Sequence, residues 1–530
     1  MEWYPALASI LLFVAVQSCD GGKVLVFPVD GSHWLNMKLL IEALHTRGHQ
    51  ITVLRSSTSW YVSQLSPHYT SITIPLEQPQ NMEDQAFMAS FLNRSIEIRR
   101  HEGTVWAFLA FYSNLFSMLE QSQKTVSLML TTMFENRTLM QEVKESQYDV
   151  VLADPCFPAG PILAHYLKLP LVFNVRWLPT GEAHFAIAPS PMSYVPQLFS
   201  LNTDKMDLSQ RLKNVFYHGL LFYMFHFVTN PPYQAFCDRY FSNGVNVLSL
   251  IQEADIWLMR MDFTFEFPRP TMPNVVYIGG FNCRPSKPLP SDLEAFVHSS
   301  GDHGVVVMSL GTLFGNLGPE ISEVIAAAFA RLPQKVVWRY LGQQPSNLGN
   351  NTLLVKWLPQ NDMLGHPKTR AFVTHGGTNG IYEAIYHGVP VLGIPLVFDQ
   401  FDNMVRLKSL GVAEVVEVTT LEVESLTRAL QNVLDPEKPY RDNMHRLSQL
   451  HHDKPLKPMD SATFWVEFVM RHKGAAHLRT ESYKLPWYVY HSIDVIMLLV
   501  ISGLFMVALF CALCTCLMRA LARRGKAKHE

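Results

Sequence analysis

The chain has 530 residues, 48% of them hydrophobic, and its 43 basic and 45 acidic side chains give a formal net charge of −2. This length corresponds to two or three domains, and the nearly balanced charge gives no reason to expect nucleic acid as a partner. Four of the seven cysteines lie in the segments at the two chain ends, and the other three lack metal-ligand spacing, which excludes a disulfide scaffold.

The N-terminal residues have the pattern of a secretory signal peptide. An apolar run over residues 6–16 precedes small and polar residues, so residues 1–19 are predicted to form the signal, although Glu2 stands where Lys or Arg is usual. A buried first strand or helix is the alternative. It is less favoured because a strand pattern begins later, at residues 23–28.

Strand and helix patterns alternate after this strand. A helix is predicted over residues 34–47 with Gly48 at its C-terminal end, and further strands over residues 51–54 and 150–153. Such alternation is typical of a parallel sheet covered by helices on both faces. The pattern predicts an α/β fold, with a first Rossmann-like domain over residues 20–285.

Two polar residues stand at the carboxyl ends of these strands. His33 lies in the loop after the first strand, and Asp154 follows the strand at 150–153. If the two strands are neighbours, Asp154 can bind one ring nitrogen of His33 and leave the other nitrogen free to act as a base. Taken alone, the two residues are better explained as a loop or cap residue and as a turn former before Pro155.

Two apolar segments of this domain, residues 105–130 and 215–228, allow two interpretations. Both are too short or too mixed in polarity to span a membrane. They form either buried core, or an apolar ligand pocket or a surface that dips into lipid. The sequence favours neither interpretation.

A proline-rich stretch at residues 282–290 is typical of an interdomain linker, and a second Rossmann-like domain is predicted over residues 286–450. Its strands are expected at residues 305–308, 336–338, 353–355, 371–374, 391–394 and 414–418. Ser309 follows the first of these strands and offers a hydroxyl at the edge of the sheet.

The most informative motif follows the fourth of these strands. The strand runs into His375, and glycines then turn the chain. A helix opens with Gly377, Thr378 and Asn379, whose N–H groups suit the binding of a diphosphate. Glu383 lies one turn further on the same face, where its carboxylate would accept hydrogen bonds from ribose hydroxyls. The spacing differs from Gly-x-Gly-x-x-Gly, which makes a nicotinamide cofactor less expected.

Side chains on both flanks of this motif complete a site for a nucleoside diphosphate sugar. Trp357 offers a flat ring for a base, and Gln360 can donate to and accept from the edge of uracil. Asp399 and Gln400 follow a buried apolar strand, where an acid–amide pair can bind sugar hydroxyls. Each feature alone has a plain explanation as core, loop or turn, and only their order along the chain favours a shared ligand.

The C-terminal part has the pattern of a membrane span. Residues 495–518 carry no charge and are long enough to cross a bilayer, and the basic residues at 519–530 place the tail in the cytosol. Before the span, Asp460 is predicted to cap a helix over residues 461–473 within a helical segment at 451–494. The protein is therefore expected to be a single-pass type I membrane protein with a lumenal body.

Three sequons, at Asn93, Asn136 and Asn350, fit a lumenal body. Lys526 and Lys528 resemble a dibasic retrieval signal of endoplasmic-reticulum membrane proteins, or they belong simply to the stop-transfer cluster. Together these features predict a glycoprotein of the endoplasmic-reticulum membrane.

The motif from Trp357 to Gln400 resembles the signature of the UDP-glycosyltransferase family. Residues 359–368 (PQNDMLGHPK) are similar to the membrane-bound animal UDP-glucuronosyltransferases in particular. The resemblance covers almost the whole chain and implies the GT-B arrangement, in which two Rossmann-like domains face each other across a cleft and the segment at 451–494 packs back on the first. It also implies UDP-glucuronate as co-substrate and a small lipophilic acceptor.

The resemblance also implies residue roles. Family members carry their catalytic His and Asp in the contexts of His33 and Asp154, so His33 would take the proton of the acceptor hydroxyl as it attacks C1 of the sugar, with inversion to a β-glucuronide. Arg260 matches a family arginine that meets the diphosphate or the glucuronate carboxylate; its alternative is a surface charge. No metal or other cofactor is expected, because helix N–H groups can stabilise the leaving UDP without a cation.

Two alternatives stay open. A transferase for UDP-glucose, UDP-galactose or UDP-N-acetylglucosamine would also use Asp399 and Gln400, and Val397 and Phe398 are bulkier than the small residue many relatives carry there. The second alternative is a catalytically silent partner that binds UDP-sugar and regulates an active homologue by dimerising with it, which the pairing of His33 with Asp154 in one chain argues against. Oligomers of the chain with itself or with related transferases are left open.

Overall fold

The computed structural model describes residues 21–76, 85–101, 103–175, 184–242, 244–312 and 314–526. The predicted signal at 1–19 and the last four residues of the tail lie outside these ranges. The described chain divides between Arg479 and Thr480 into two compact units. The first unit contains two parallel β-sheets with apolar cores on their faces, which is the predicted α/β class.

The first sheet has seven parallel strands. They are β1 (Lys23–Phe27), β2 (Gln50–Ser56), β3 (Thr70–Ile74), β4 (Val150–Ala153), β5 (Leu171–Val175), β6 (Ile256–Met259) and β7 (Val275–Tyr277). Their order is β3-β2-β1-β4-β5-β6-β7. Because Phe27 at the end of β1 pairs with Ala153 at the end of β4, the residues that follow these two strands are neighbours in space.

Nine α-helices are described in this half of the chain, with one π-helix at Met224–Thr229. They are α1 (Ser32–Thr46), α2 (Gln85–Arg99), α3 (Val105–Glu135), α4 (Arg137–Glu145), α5 (Ala159–Leu167), α6 (His184–Ile187), α7 (Leu208–Tyr223), α8 (Pro231–Tyr240) and α9 (Val247–Gln252). α1 buries Trp34, Met37 and Leu40 at helical spacing, and Gly48, with a φ of 93°, follows its end.

The second sheet has six parallel strands. They are β8 (Val305–Ser309), β9 (Lys335–Arg339), β10 (Thr352–Val355), β11 (Thr369–Thr374), β12 (Val391–Gly393) and β13 (Ala413–Val415). Their order is β10-β9-β8-β11-β12-β13, and Ser309 pairs with Thr374. All six lie where the apolar runs predicted strands, with ends that differ by up to three residues.

The helices around the second sheet complete the first unit. They are α10 (Ser291–His298), α11 (Pro319–Ala330), α12 (Gln360–Leu364), α13 (Thr378–His387), α14 (Gln400–Ser409), α15 (Val423–Leu434), α16 (Tyr440–His452) and α17 (Pro458–His472), with short 3-10 turns at Val418–Thr420 and Ala476–Leu478. α17 packs on the first sheet, since its Val466 and Val469 share one buried cluster with Val26 of β1.

The predicted cap of this last helix is wrong. α17 begins at Pro458 with Lys457 at the N-cap position, and Asp460 lies inside the first turn. Proline is favoured at the first helical position because its missing N–H would be unpaired there in any case. The predicted domain boundaries at 285/286 and 450/451 stay predictions.

The two apolar segments are helical, and each has a buried and an exposed side. α3 buries Leu115 and Leu119 but exposes Trp106, and α7 buries Leu221 but exposes Phe216. The buried-core interpretation therefore holds for only one face of each helix.

The second unit contains a short helix, α18 (Trp487–Tyr490), and a long one, α19 (Ile493–Lys526). Within α19, Ile493–Ala522 is long and apolar enough to cross a membrane by length and composition. This span is longer than the predicted 495–518, because the helix continues into the basic tail.

Candidate active site

The carboxyl ends of strands from both sheets border one cavity of about 490 Å³. Almost all of the predicted site residues line it: His33, Arg260, Ser309, Trp357, Gln360, His375, Gly377, Thr378, Asn379, Glu383, Asp399 and Gln400. Asp154 is the exception, because it is only 1% exposed and lies behind His33.

His33 and Asp154 form a hydrogen-bonded pair because β1 and β4 are adjacent. His33 Nδ1 lies 2.7 Å from Asp154 Oδ2, and the backbone N–H of Cys156 donates to Asp154 Oδ1 at 3.0 Å. Burial alone would raise the pKa of Asp154, but His33, Arg260 and the Cys156 N–H outweigh it and hold the pKa below its usual range. The ionised carboxylate fixes the proton of a neutral His33 on Nδ1, which leaves Nε2 as the basic nitrogen.

Arg260 is a buried partner of this pair rather than a surface charge. It follows β6 directly, is 7% exposed, and donates from Nη2 to Asp154 Oδ2 at 3.4 Å. Its guanidinium also borders the cavity, so it brings a permanent positive charge to the site.

The turn after β11 is shaped around the ring of His375. Gly376 has a φ of 89°, a conformation that glycine adopts without strain. Gly377 has an ordinary backbone, but a Cβ on it would lie 2.5 Å from His375 Nε2, so the close approach of the ring requires glycine there. Desolvation lowers the pKa of His375 to about 4 against the opposing effect of Asp399, so the ring is neutral at pH 7.

The N-terminus of α13 opens into the cavity directly after this turn. Gly377 is the N-cap residue and has no side chain to bind the first N–H groups of the helix. These groups have no partners within the helix, and together with the helix dipole they form an anion site. Thr378 and Asn379, the first two helical residues, line the cavity.

Glu383 and Gln360 form a second polar pair in the cavity. Gln360 Nε2 donates to Glu383 Oε2 at 2.6 Å. Desolvation raises the pKa of Glu383 to about 7, although Gln360 and Arg284 oppose the rise. Trp357 borders the same region and is 71% exposed, which rules out its explanation as a core residue.

Asp399 and Gln400 lie at the start of α14, and their side chains accept hydrogen bonds from different donors. Asp399 Oδ2 accepts from Asn403 Nδ2 at 3.0 Å. Gln400 Oε1 accepts from the backbone N–H groups of Leu396 and Val397 at 2.9 and 3.0 Å. The oxygen of Gln400 therefore holds the preceding loop, and Gln400 also lines the cavity.

Phe398, directly before this pair, has an unusual backbone. Its φ is 55°, a region that favours glycine, and its ring stacks on Phe91 with centroids 5.8 Å apart. The bulky side chain also lines the cavity. The structure thus accommodates a large residue at position 398, where the sequence analysis noted a bulkier side chain than in many relatives and left the donor sugar open.

The polar residues of the cavity that the sequence analysis missed include Asn36, Gln123, Arg284 and Arg339. Arg339 ends β9, and the rule that ligands gather at the carboxyl ends of strands would have found it. Asn36 follows His33 by one turn of α1 and donates across the cavity to Asn379 Oδ1 at 2.9 Å. Gln123, inside a long apolar helix, gave no sequence signal.

One cluster of metal-ligating side chains, among the residues the structure describes, lies outside the cavity. Glu294 Oε1 is 2.8 Å from His298 Nε2 and 3.3 Å from His366 Nε2. The backbone N–H of Lys368 donates to His366 Nδ1, which places the proton of a neutral ring on Nε2. The Nε2–H group of His366 donates to Glu294, so hydrogen bonds to this carboxylate explain the cluster.

The three sequon asparagines, Asn93, Asn136 and Asn350, are exposed. Asn136 also caps α4, with its Oδ1 accepting from the Leu139 N–H at 3.1 Å. Glycosylation at these positions stays a prediction.

Solved structures with a similar fold are glycosyltransferases. The calicheamicin glycosyltransferase CalG4 matches with a TM-score of 0.53 and 18% identity over 85% of this chain and 99% of its own. The spinosyn forosaminyltransferase SpnP matches with a TM-score of 0.54 and 16% identity over 85% of this chain and 100% of its own. Two parallel sheets that border one cavity give this chain the GT-B fold of these neighbours.

Comparison with sequence families is more specific. A model described as "UDP-glucoronosyl and UDP-glucosyl transferase" matches residues 22–528. UDP-glucuronosyltransferase 2A1 of Mus musculus is 41% identical over 515 residues, which are 96% of each chain. UDP-glucuronosyltransferase 2B17 of Homo sapiens is 40% identical over 536 residues, covering 100% of this chain and 99% of the relative. The chain belongs to the UDP-glucoronosyl and UDP-glucosyl transferase family.

Proposed function

We propose that this glycosyltransferase is a UDP-glucuronosyltransferase. It transfers glucuronic acid from UDP-glucuronate to a hydroxyl or similar nucleophile of a small lipophilic acceptor and yields a β-glucuronide. The observation that carries the proposal is the single cavity bordered by the His33–Asp154 pair on one side and the N-terminus of α13 on the other. The names and identities of the relatives support glucuronate as the sugar.

The acceptor side of the reaction depends on His33. Its Nε2 takes the proton of the acceptor hydroxyl during attack on C1 of the sugar, and Asp154 stabilises the imidazolium that forms. The attack comes from the face opposite UDP, so the α-linked donor gives a β-linked product.

The donor side depends on groups of the second sheet. Trp357 stacks on the uracil ring, whose edge binds Gln360, and Glu383 accepts hydrogen bonds from the ribose. The N–H groups at Gly377, Thr378 and Asn379 hold the diphosphate and stabilise the charge that develops on the leaving UDP.

Further side chains complete the donor site. Asp399 and the amide nitrogen of Gln400 bind sugar hydroxyls, and Ser309 and His375 add neutral hydrogen-bonding groups. Arg260 offers its charge to the diphosphate or to the glucuronate carboxylate. No metal or other cofactor is required by this scheme.

For the cell, we propose an endoplasmic-reticulum membrane glycoprotein that acts in detoxification. The apolar span within α19 supports membrane attachment. The signal pattern at 1–19, the sequons and the basic residues at 519–530 support a lumenal body and a cytosolic tail.

The second candidate function is transfer from another UDP-hexose, because the bulky Phe398 lines the cavity directly before Asp399. Recombinant microsomes given radiolabelled UDP-glucuronate, UDP-glucose, UDP-galactose or UDP-N-acetylglucosamine with a phenol panel separate the two. We expect glucuronate transfer that persists in EDTA. Preferred transfer of a neutral hexose contradicts the choice of donor, and activity that EDTA abolishes and Mg²⁺ restores contradicts the metal-free mechanism.

A further inference from the structure

Gln123 places an amide in a mostly apolar part of the cavity wall. It belongs to α3, lines the cavity and is 0% exposed to solvent. The apolar residues that line the cavity include Val29, Leu35, Met118, Leu119, Phe157 and Phe314. A lipophilic ligand that contacts Leu119, one turn before Gln123 on α3, or Phe157, next to Cys156, therefore lies close to the Gln123 amide.

A hydrogen bond fixes the orientation of this amide. Gln123 Nε2 donates to the backbone oxygen of Cys156 at 3.3 Å. Because a carbonyl oxygen only accepts hydrogen bonds, the amide nitrogen has to occupy this position. Oε1 is then buried and has no hydrogen-bond partner among the residues that the structure describes. A buried acceptor without a partner is unfavourable, so a ligand that supplies a donor gains affinity there.

The Gln123 amide is closely linked to the proposed base. The N–H of Cys156 donates to Asp154 Oδ1 at 3.0 Å, and Asp154 Oδ2 lies 2.7 Å from His33 Nδ1. Gln123 and His33 thus border the same cavity and are joined through two intervening residues. A small molecule that presents one group to His33 can present another to Gln123.

We propose that Gln123 Oε1 accepts a hydrogen bond from the acceptor substrate and so selects its class. The preferred acceptors are lipophilic molecules with two donor groups, a nucleophile that reacts at His33 and a second hydroxyl or N–H that binds Gln123. This inference rests on the proposed function and adds the chemistry of the acceptor to it.

The test compares 1-naphthol with the isomers of dihydroxynaphthalene on the full-length, detergent-solubilised protein. Affinity is measured by calorimetry with UDP bound, and kcat/KM is measured with UDP-glucuronate. Gln123→Met removes both polar atoms at nearly constant length. Gln121→Met is the matched control, because Gln121 is exposed on the same helix. UDP affinity reports whether each variant is folded.

We expect at least one isomer to bind the wild type about fivefold more tightly than 1-naphthol, as a net gain of one neutral hydrogen bond predicts. Gln123→Met abolishes this preference and Gln121→Met keeps it. The monomethyl ether of the preferred isomer loses the gain in the wild type, which tests the same bond without a mutation.

The proposal is overturned if no isomer is preferred, which would mean that an ordered water satisfies Oε1. It is also overturned if the ether binds as well as the diol, or if Gln123→Met keeps the preference. A protein that prefers the diol in calorimetry but transfers no glucuronate contradicts the proposed function alone. In that case the assignment of Gln123 still holds.

Discussion

At the scale of single residues, the site depends on which side chains are charged. Asp154 is held ionised by His33, Arg260 and a backbone N–H, whereas burial brings the pKa of Glu383 to about 7. One carboxyl group is therefore a permanent anion, and the other titrates near neutral pH. The two act on different parts of the proposed reaction.

Replacing His33 by Ala is expected to lower kcat for phenolic acceptors by about 10²–10⁴, the usual contribution of a positioned base. UDP affinity should stay unchanged, because His33 is not among the residues proposed to bind UDP, which follow strands of the second sheet except for Arg260. Calorimetry with UDP and turnover assays measure the two effects separately. His45→Ala is the control, since His45 is an exposed histidine of the same helix. An active His33→Ala, or one that no longer binds UDP, would contradict the assignment.

Glu383 predicts a pH dependence of donor binding. Its raised pKa of about 7 means that the carboxyl is protonated below that pH, so the donor KM should fall as pH rises from 6 to 8. Glu383→Gln should raise the donor KM about tenfold and make it independent of pH in this range. A 2′-deoxyribose donor should bind the wild type less well and lose little more against Glu383→Gln. If the two losses simply add, Glu383 does not bind the ribose.

At the scale of elements, β11 and the start of α13 place an imidazole beside an anion site. A buried strand followed by a glycine turn made this motif recognisable in the sequence, because the strand is an apolar run and the turn needs glycine. The contact between the Gly377 backbone and the His375 ring, by contrast, depends on the tertiary position of that ring.

Gly377→Ala tests this contact. Its backbone is ordinary, with φ −67° and ψ 138°, so the expected damage comes from the Cβ 2.5 Å from His375 Nε2. Either the ring or the turn that carries the anion site has to shift, and we expect the donor KM to rise at least about tenfold, equivalent to about 1.4 kcal/mol. Gly219→Ala, in exposed α7 where a Cβ meets nothing within 4 Å, should leave the KM unchanged. Equal effects of the two variants would rule out the packing explanation.

The sequence predicted all six strands of the second sheet but only β1, β2 and β4 of the seven strands of the first. Short apolar runs with turn residues on both sides specify buried parallel strands, and this applies to β4 and β8. α3 and α7 carry apolar residues on both their buried and their exposed sides. Only tertiary packing decides which side is buried, so the sequence did not reveal it. Gln123 and Asn36 were missed for the same reason, since no local pattern tells which polar residue of a helix will face a cavity.

At the scale of the whole first unit, contacts between residues distant in sequence fix the position of α14. Asp402 is 5% exposed and accepts from the backbone N–H groups of Phe199 and Leu201 at 2.9 and 3.2 Å. Both partners have positive φ values, 67° and 55°, so this loop is held in a conformation that costs free energy. The same helix begins with Gln400 directly after Asp399, and the loop contact therefore supports the part of the cavity that we propose binds the sugar.

Asp402 predicts how the stability of this arrangement changes with pH. Desolvation raises its pKa from 3.8 to about 6 despite Arg406 and the two N–H groups, a shift that corresponds to about 3 kcal/mol. Because the folded state holds the proton more tightly than the unfolded state, the stabilising contribution of Asp402 is complete below pH 4 and is lost as pH rises through 6. Asp402→Asn cannot titrate, so the melting temperature of the wild type minus that of the variant should fall between pH 4 and pH 7. Asp442→Asn, which changes an exposed acid in the first turn of α16, should show no such trend. A difference that grows with pH would mean that the Phe199 and Leu201 N–H groups stabilise the carboxylate more than burial destabilises it.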